Sequence, residues 1–138
     1  MSRILEIFTD GACRGNPGEA SIGVVVYEHK KIIKEISKSI GLATNNIAEY
    51  QALICALKEA LSLKADQIKI FTDSELMYCQ IKGEYRVKDI KLKPLFLEAQ
   101  ELIKQFRSFE ISHVPREENK LADRLAAAVL ENSLLAGK

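Results

Sequence analysis

The chain has 138 residues, 47% of them hydrophobic and 28% charged, with a formal net charge of +1. This is the balance of an ordinary globular protein, and the length suits one domain, 1–138, which buries about two-thirds of its unfolded surface without staples. A near-neutral total means that any surface for a polyanion has to be local. The three cysteines, Cys13, Cys55 and Cys79, are odd in number and contain no CxxC pair, which argues against a disulfide framework or a zinc site and suits a reducing interior. Cys55 lies among apolar residues and reads as core. The opening MSRILEIFTDG is no signal peptide, and no apolar stretch approaches the roughly 20 residues needed to cross a bilayer. A cytoplasmic location is expected.

In chain order, residues 3–10 read as a strand and 11–18 (GACRGNPG) as a loop of turn residues. Residues 20–27 (ASIGVVVY) form a second strand. Residues 31–40 alternate apolar and polar, a third strand with one wet face, so the three make an antiparallel meander. The period then changes: Asn45 or Asn46 can cap a helix carrying Ile47, Tyr50, Leu53, Ile54, Leu57 and Leu61 at helical spacing. A strand over 67–73, a short helix over 74–81, a helix over 94–106, a strand over 109–115 and a helix from 118 to about 135 follow. The expected fold is α/β: a mixed five-stranded sheet, three antiparallel strands followed by parallel crossovers, flanked by helices. One echo stands out, IFTD at 7–10 and again at 70–73.

Four carboxylates occupy positions with chemical meaning. Asp10 closes the first strand and Asp73 the fourth, and ligands of parallel sheets gather outside the carboxyl ends of strands. If those strands are neighbours, about 4.8 Å apart, both acids emerge on one edge. Asp73, before Ser74 and a helix, also fits a turn or cap residue. Glu49 shares a helical face with Leu53, Ala56, Leu57 and Ala60, although a place near the helix start would also suit the macrodipole. Asp123 shares its face with Ala126, Ala127 and Leu130, or is a solvated helix residue. Two like charges 4 Å apart repel by about 4 kcal/mol at an effective dielectric of 20, so a cluster of four requires protons or a cation. Oxygen ligands without cysteine or histidine suit Mg²⁺ or Mn²⁺, and four carboxylates suffice for two ions.

The stretches TDGACRGNPG (9–18), TNNIAEY (44–50), FTDSEL (71–76) and VPREENKLADRLA (114–126) resemble, in order, the motifs of type 1 ribonuclease H, in a short form. The resemblance covers nearly the whole chain. It implies an Mg²⁺-dependent endonuclease that hydrolyses the RNA strand of RNA–DNA hybrids by a two-metal mechanism, with Asp10, Glu49, Asp73 and Asp123 as its catalytic and metal-holding residues. It also implies substrate contacts at Gly11, Cys13 and Asn16, where backbone N–H groups can approach a minor groove, and at Asn45, Asn46, Ser74 and Glu75. No obligatory protein partner is evident.

The chain departs from the family pattern in three ways. Many relatives carry a histidine in a longer loop before the last aspartate. Counted back from Asp123, His113 occupies that place; aligned on Val114-Pro115, the preferred alignment, it is a strand residue, the loop is shortened, and Arg116 is the candidate for the histidine's place. The extended basic protrusion is replaced by residues 82–93, where Lys82, Arg86, Lys88, Lys91 and Lys93 face only Glu84 and Asp89, making Arg86 and Lys88 candidate contacts to the DNA strand. No separate hybrid-binding domain is expected before the catalytic one. Two alternatives stand beside this reading: a non-catalytic nucleic-acid-binding module on the same fold, and a different nuclease of the integrase-like or junction-resolving kind.

Overall fold

The computed structural model describes residues 2–136, with side chains through Glu131. In chain order these form β1 (Ile4–Gly15), β2 (Gly18–Glu28), β3 (Lys31–Ala43), α1 (Asn45–Ser62), β4 (Gln67–Thr72), α2 (Glu75–Ile81), α3 (Lys93–Ile103), β5 (Ser108–His113), a 3₁₀ turn (Arg116–Glu118) and α4 (Lys120–Ala136). The strands make one sheet in the order β3-β2-β1-β4-β5. β1, β2 and β3 pair antiparallel, while β4 and β5 join in parallel, which is the mixed sheet expected from a meander followed by helical crossovers. The repeated tetrapeptide has a structural counterpart: Ile7, Phe8 and Thr9 lie directly opposite Ile70, Phe71 and Thr72.

Burial follows the layers. β2 is buried without alternation from Ala20 to Val26, because helices cover both of its faces. α1 packs Leu53, Ala56, Leu57 and Ala60 against Leu5, Ile7, Ile68 and Ile70 in the main core. Cys55 is half-buried against that core, as its apolar neighbours suggested.

Two glycines set how closely the helices approach. Neighbouring residues of a strand point to opposite faces, so Gly11 faces one layer, whereas Gly23, paired with Asp10, faces the other. A Cβ at Gly11 would lie 2.5 Å from the Ala48 carbonyl carbon, and one at Gly23 2.1 Å from the Ala122 carbonyl oxygen. Only glycine lets α1 and α4 sit so near the strands, and each of these helices brings a carboxylate.

Two local expectations are corrected. The glycine-rich segment 11–18 is not a loop: β1 continues to Gly15, pairs there with Gly18, and leaves only Asn16 and Pro17 as the turn. Its turn-forming residues serve close packing and the hairpin tip, where Gly15 has a φ of +89°. The cap of α1 is neither Asn45 nor Asn46 but Thr44, whose Oγ1 accepts the Ile47 N–H at 3.2 Å. Both asparagines lie in the first turn, exposed.

Candidate active site

The sheet is ragged at one end, and the carboxylates gather there. β4 stops at Thr72 while β1 runs on, so Asp10 does not close its strand as expected; it lies inside β1, one residue beyond the last parallel pair, Thr9 with Thr72. Asp73 follows the end of β4, held in a turn where Thr72 Oγ1 accepts the Ser74 N–H. Beyond that point β1 has no strand on its β4 side, and the Gly11 N–H donates instead to Glu49 Oε1 at 3.0 Å. That bond aims Glu49 at the sheet end. Oxygens of Asp10, Glu49 and Asp73 all lie within 4.8 Å of one another. Asp123, in the first turn of α4, lines the same cleft of about 570 Å³ from the other layer.

The macrodipole role does not hold for Glu49, nor the capping role for Asp73. Glu49 is the fifth residue of α1, beyond the first turn where a carboxylate meets the macrodipole. Asp73 does not cap α2; Ser74 does, its Oγ accepting the Met77 N–H.

Electrostatics confirm crowding. Asp10 is 5% exposed, and its carboxyl is pushed up from 3.8 to about 9, chiefly by burial, then by the charges of Glu49, Asp73 and Asp123. Glu49 is pushed up to about 8, again first by burial and then by Asp73, against the lowering effects of the Gly11 N–H and the Arg116 charge. Near neutral pH Asp10 and Glu49 therefore hold protons unless a cation takes their place. Its donors are all carboxylate oxygens, the set that suits a hard divalent ion. Cys13 and His113 border the cleft without joining the cluster.

The other sequence candidates divide. Gly11, Cys13, Asn45 and Arg116 line the cleft. Arg116 stands with Nη2 3.7 Å from Asp123 Oδ1, its side chain largely in solvent. Asn16 is outside the lining but accepts the Asn45 N–H on its Oδ1 at 3.0 Å, tying the hairpin tip to α1. Asn46, Ser74 and Glu75 flank the cleft in sequence without lining it, and Arg86 and Lys88 are exposed on the segment between α2 and α3, outside the lining of the cleft. His113 is the last residue of β5, as the alignment on Val114-Pro115 requires. Its exposed ring stacks on Tyr78 with centroids 5.9 Å apart.

One residue of the site escaped the sequence reading. Asn119 is 1% exposed, and its Nδ2 donates to the Thr9 carbonyl at 2.9 Å and to Asp73 Oδ2 at 3.2 Å. Its signal was a lone asparagine directly before a helix, which reads as a cap and nothing more.

A mixed sheet in the order β3-β2-β1-β4-β5 with carboxylates at its ragged end defines a ribonuclease H-like protein. The Reverse transcriptase-like family matches residues 8–129, and the chain belongs to that family, in its ribonuclease H branch. A bifunctional protein of Mycobacterium tuberculosis is 43% identical over 122 residues, 87% of this chain and 34% of the relative. Ribonuclease HI of Halobacterium salinarum is 42% identical over 127 residues, 91% of this chain and 64% of the relative. The crystal structure of ribonuclease H1 from that archaeon superposes with a TM-score of 0.91 at 40% identity, covering 94% of this chain and 98% of that one. LC11-RNase H1, solved in complex with an RNA/DNA hybrid, gives a TM-score of 0.89 at 38% identity over 94% of this chain and 99% of that one. The chain thus spans about a third of the mycobacterial relative and 64% of the archaeal one.

Proposed function

We propose that the chain is a metal-dependent endonuclease that hydrolyses the RNA strand of RNA–DNA hybrids. The observation that carries this reading is the meeting of Asp10, Glu49 and Asp73 within 4.8 Å, with Asp123 in the same cleft. Those four residues hold the cations, Mg²⁺ or Mn²⁺, with room in the donor count for two. When bound, such ions supply an activated water and stabilise the leaving oxygen in an in-line displacement. The protein's own task is to keep the oxygens in place. The Gly11 N–H orients Glu49, and β1 and the turn after β4 set Asp10 and Asp73 side by side. Gly11, Cys13 and Asn45 face the duplex minor groove, with Asn16 holding Asn45. Asn46, Ser74 and Glu75 bear on the flanks of the duplex. Arg116 stands beside the scissile phosphate, and Arg86 and Lys88 take phosphates of the DNA strand. Residues 1–138 act as one catalytic domain, since all four carboxylates belong to one sheet and its helices. Three free thiols suit a reducing cytoplasm; among the described residues no helix is long and apolar enough to cross a membrane.

The binding-module alternative is disfavoured by the same cluster, because gripping a polyanion favours loss of negative charge. One assay separates the readings: labelled hybrid, RNA duplex, DNA duplex and single strands are each incubated with and without Mg²⁺. Mg²⁺-dependent cutting of the RNA strand of the hybrid is expected. Hybrid bound but uncut would leave a binding module, and preferential cutting of DNA would indicate the integrase-like or junction-resolving kind.

A further inference from the structure

We infer that Asn119 is a positioning residue that fixes the Asp73 carboxylate for cation binding, an inference that rests on the metal-dependent reading of the site. Three of the four acids are tied to this one residue. Its Nδ2 donates to Asp73 Oδ2 at 3.2 Å and to the carbonyl of Thr9, the residue before Asp10, at 2.9 Å. Its own carbonyl accepts the Asp123 N–H at 3.1 Å. Both partners of the side chain are acceptors, so the amide nitrogen has to face them. The consequence is costly: Oδ1 is buried without a hydrogen-bond partner among the described residues, and a buried acceptor left unpaired is destabilising. A residue chosen for stability alone would not strand an acceptor there. What it achieves is a neutral donor on a crowded anion: a lysine would add a competing charge, and a carboxylate would add repulsion. With Oδ2 held by the amide, the Asp73 side chain cannot swing away, and Oδ1 is left unclaimed by any hydrogen bond among the described residues. Outer partners of ligating carboxylates hold metal affinity in this way, and their loss costs roughly 10–100-fold.

The test is Mn²⁺ titration by calorimetry on the chain alone, without hybrid, beside melting in chelator. N119A should weaken Mn²⁺ binding by roughly tenfold or more. As a control for loosening of α4, S21A removes the hydroxyl that donates to the Ala126 carbonyl, a bond that includes none of the four acids; it should lower melting yet leave Mn²⁺ affinity within about twofold, since the two sites share no hydrogen-bond partner. If Asn119 acts through Asp73, adding N119A to D73A should change the residual affinity by less than about twofold. Should N119A fail to fold, N119S retains a shorter donor in a smaller cavity and is read in the same titration, where a weakening of at least about threefold is expected. Mn²⁺ affinity equal to wild type in N119A or N119S, with only melting lowered, would overturn the inference and leave the site reading intact. A wild-type chain that binds no Mn²⁺ overturns the site reading, and the inference with it.

Discussion

Asp10 and Glu49 make the chain's stability depend on pH in a direction unusual for carboxylates. In the folded chain they keep their protons up to about 9 and about 8, whereas the unfolded chain ionises both near 4. Between those limits the unfolded state binds fewer protons, so stability falls as pH rises until the folded carboxyls also ionise. Without divalent cation, melting should therefore drop between about pH 5 and 8.5, and D10N should flatten the drop and melt higher, by about 4 °C for each 1 kcal/mol relieved. Thermal scans in chelator read this directly; a melting temperature that climbs with pH would contradict it. The same D10N protein should cut hybrid far more slowly than wild type, and cleavage within about tenfold of wild type would remove Asp10 from the metal site. Proton release also couples to the cation: the Mg²⁺ concentration for half-maximal cleavage should fall by about tenfold per pH unit for each proton displaced. His113 gives a contrasting prediction. Its ring is exposed and stacked on Tyr78, so H113A should melt within about 0.5 kcal/mol of wild type, and turnover should fall less than about tenfold, below the usual loss of a general acid or base. A hundredfold loss with unchanged melting would return His113 to the family histidine's role.

At the scale of elements, the site depends on two helices docking where a strand carries no side chain. The backbone of α4 at Ala122 lies where a Gly23 Cβ would stand, 2.1 Å from its carbonyl oxygen. G23A must lift α4 and Asp123 with it. Overpacking of this kind costs about 1–3 kcal/mol, and a displacement near 1 Å at a reacting centre costs about a hundredfold in rate. Both losses are expected together, in melting and in single-turnover cleavage; full activity would mean that Asp123 tolerates the shift. These glycines also explain what was legible in the sequence. Element types were readable because periods of two and 3.6 differ sharply, as between β3 and α1, and the four acids stood out at strand ends and on a helix stripe. The stretch 11–18 reads as a loop because glycine and asparagine signal turns locally, whereas Gly11 is required by a helix 37 residues later, at Ala48. Asp10 likewise reads as a strand end in the sequence, since nothing local reveals that β1 outruns β4. Asn119 went unread because its partners, Thr9 and Asp73, are 110 and 46 residues away, and no spacing rule joins them.

For the whole molecule the question is how a chain of net charge +1 grips a polyanion around a cleft lined with acids. Charge has to be segregated, and the stretch from the end of α2 to the first residue of α3 is where it collects: Lys82, Arg86, Lys88, Lys91 and Lys93 are all exposed, against Glu84 and Asp89. Val87 and Leu92 are buried in the main core, so this segment is anchored by apolar residues while its cations project outward. Anchoring matters, because a mobile basic tail would lose more freedom on binding for each phosphate it neutralised. Phosphate contacts set the register of a duplex without reading its sequence, and each one lost lowers the salt slope of binding by about 0.9. R86A/K88A should therefore raise KM at low salt and flatten the logarithmic salt dependence by nearly 2, with kcat close to wild type because the carboxylate cleft is untouched. Hybrid binding measured across a salt series decides it. An unchanged slope would make this segment solvated surface and move the grip to the hairpin of β1 and β2, where Asn16 and Asn45 are already joined. A fall in kcat at saturating hybrid would mean instead that the segment sets the duplex against the carboxylates, a positioning role that charge alone does not predict.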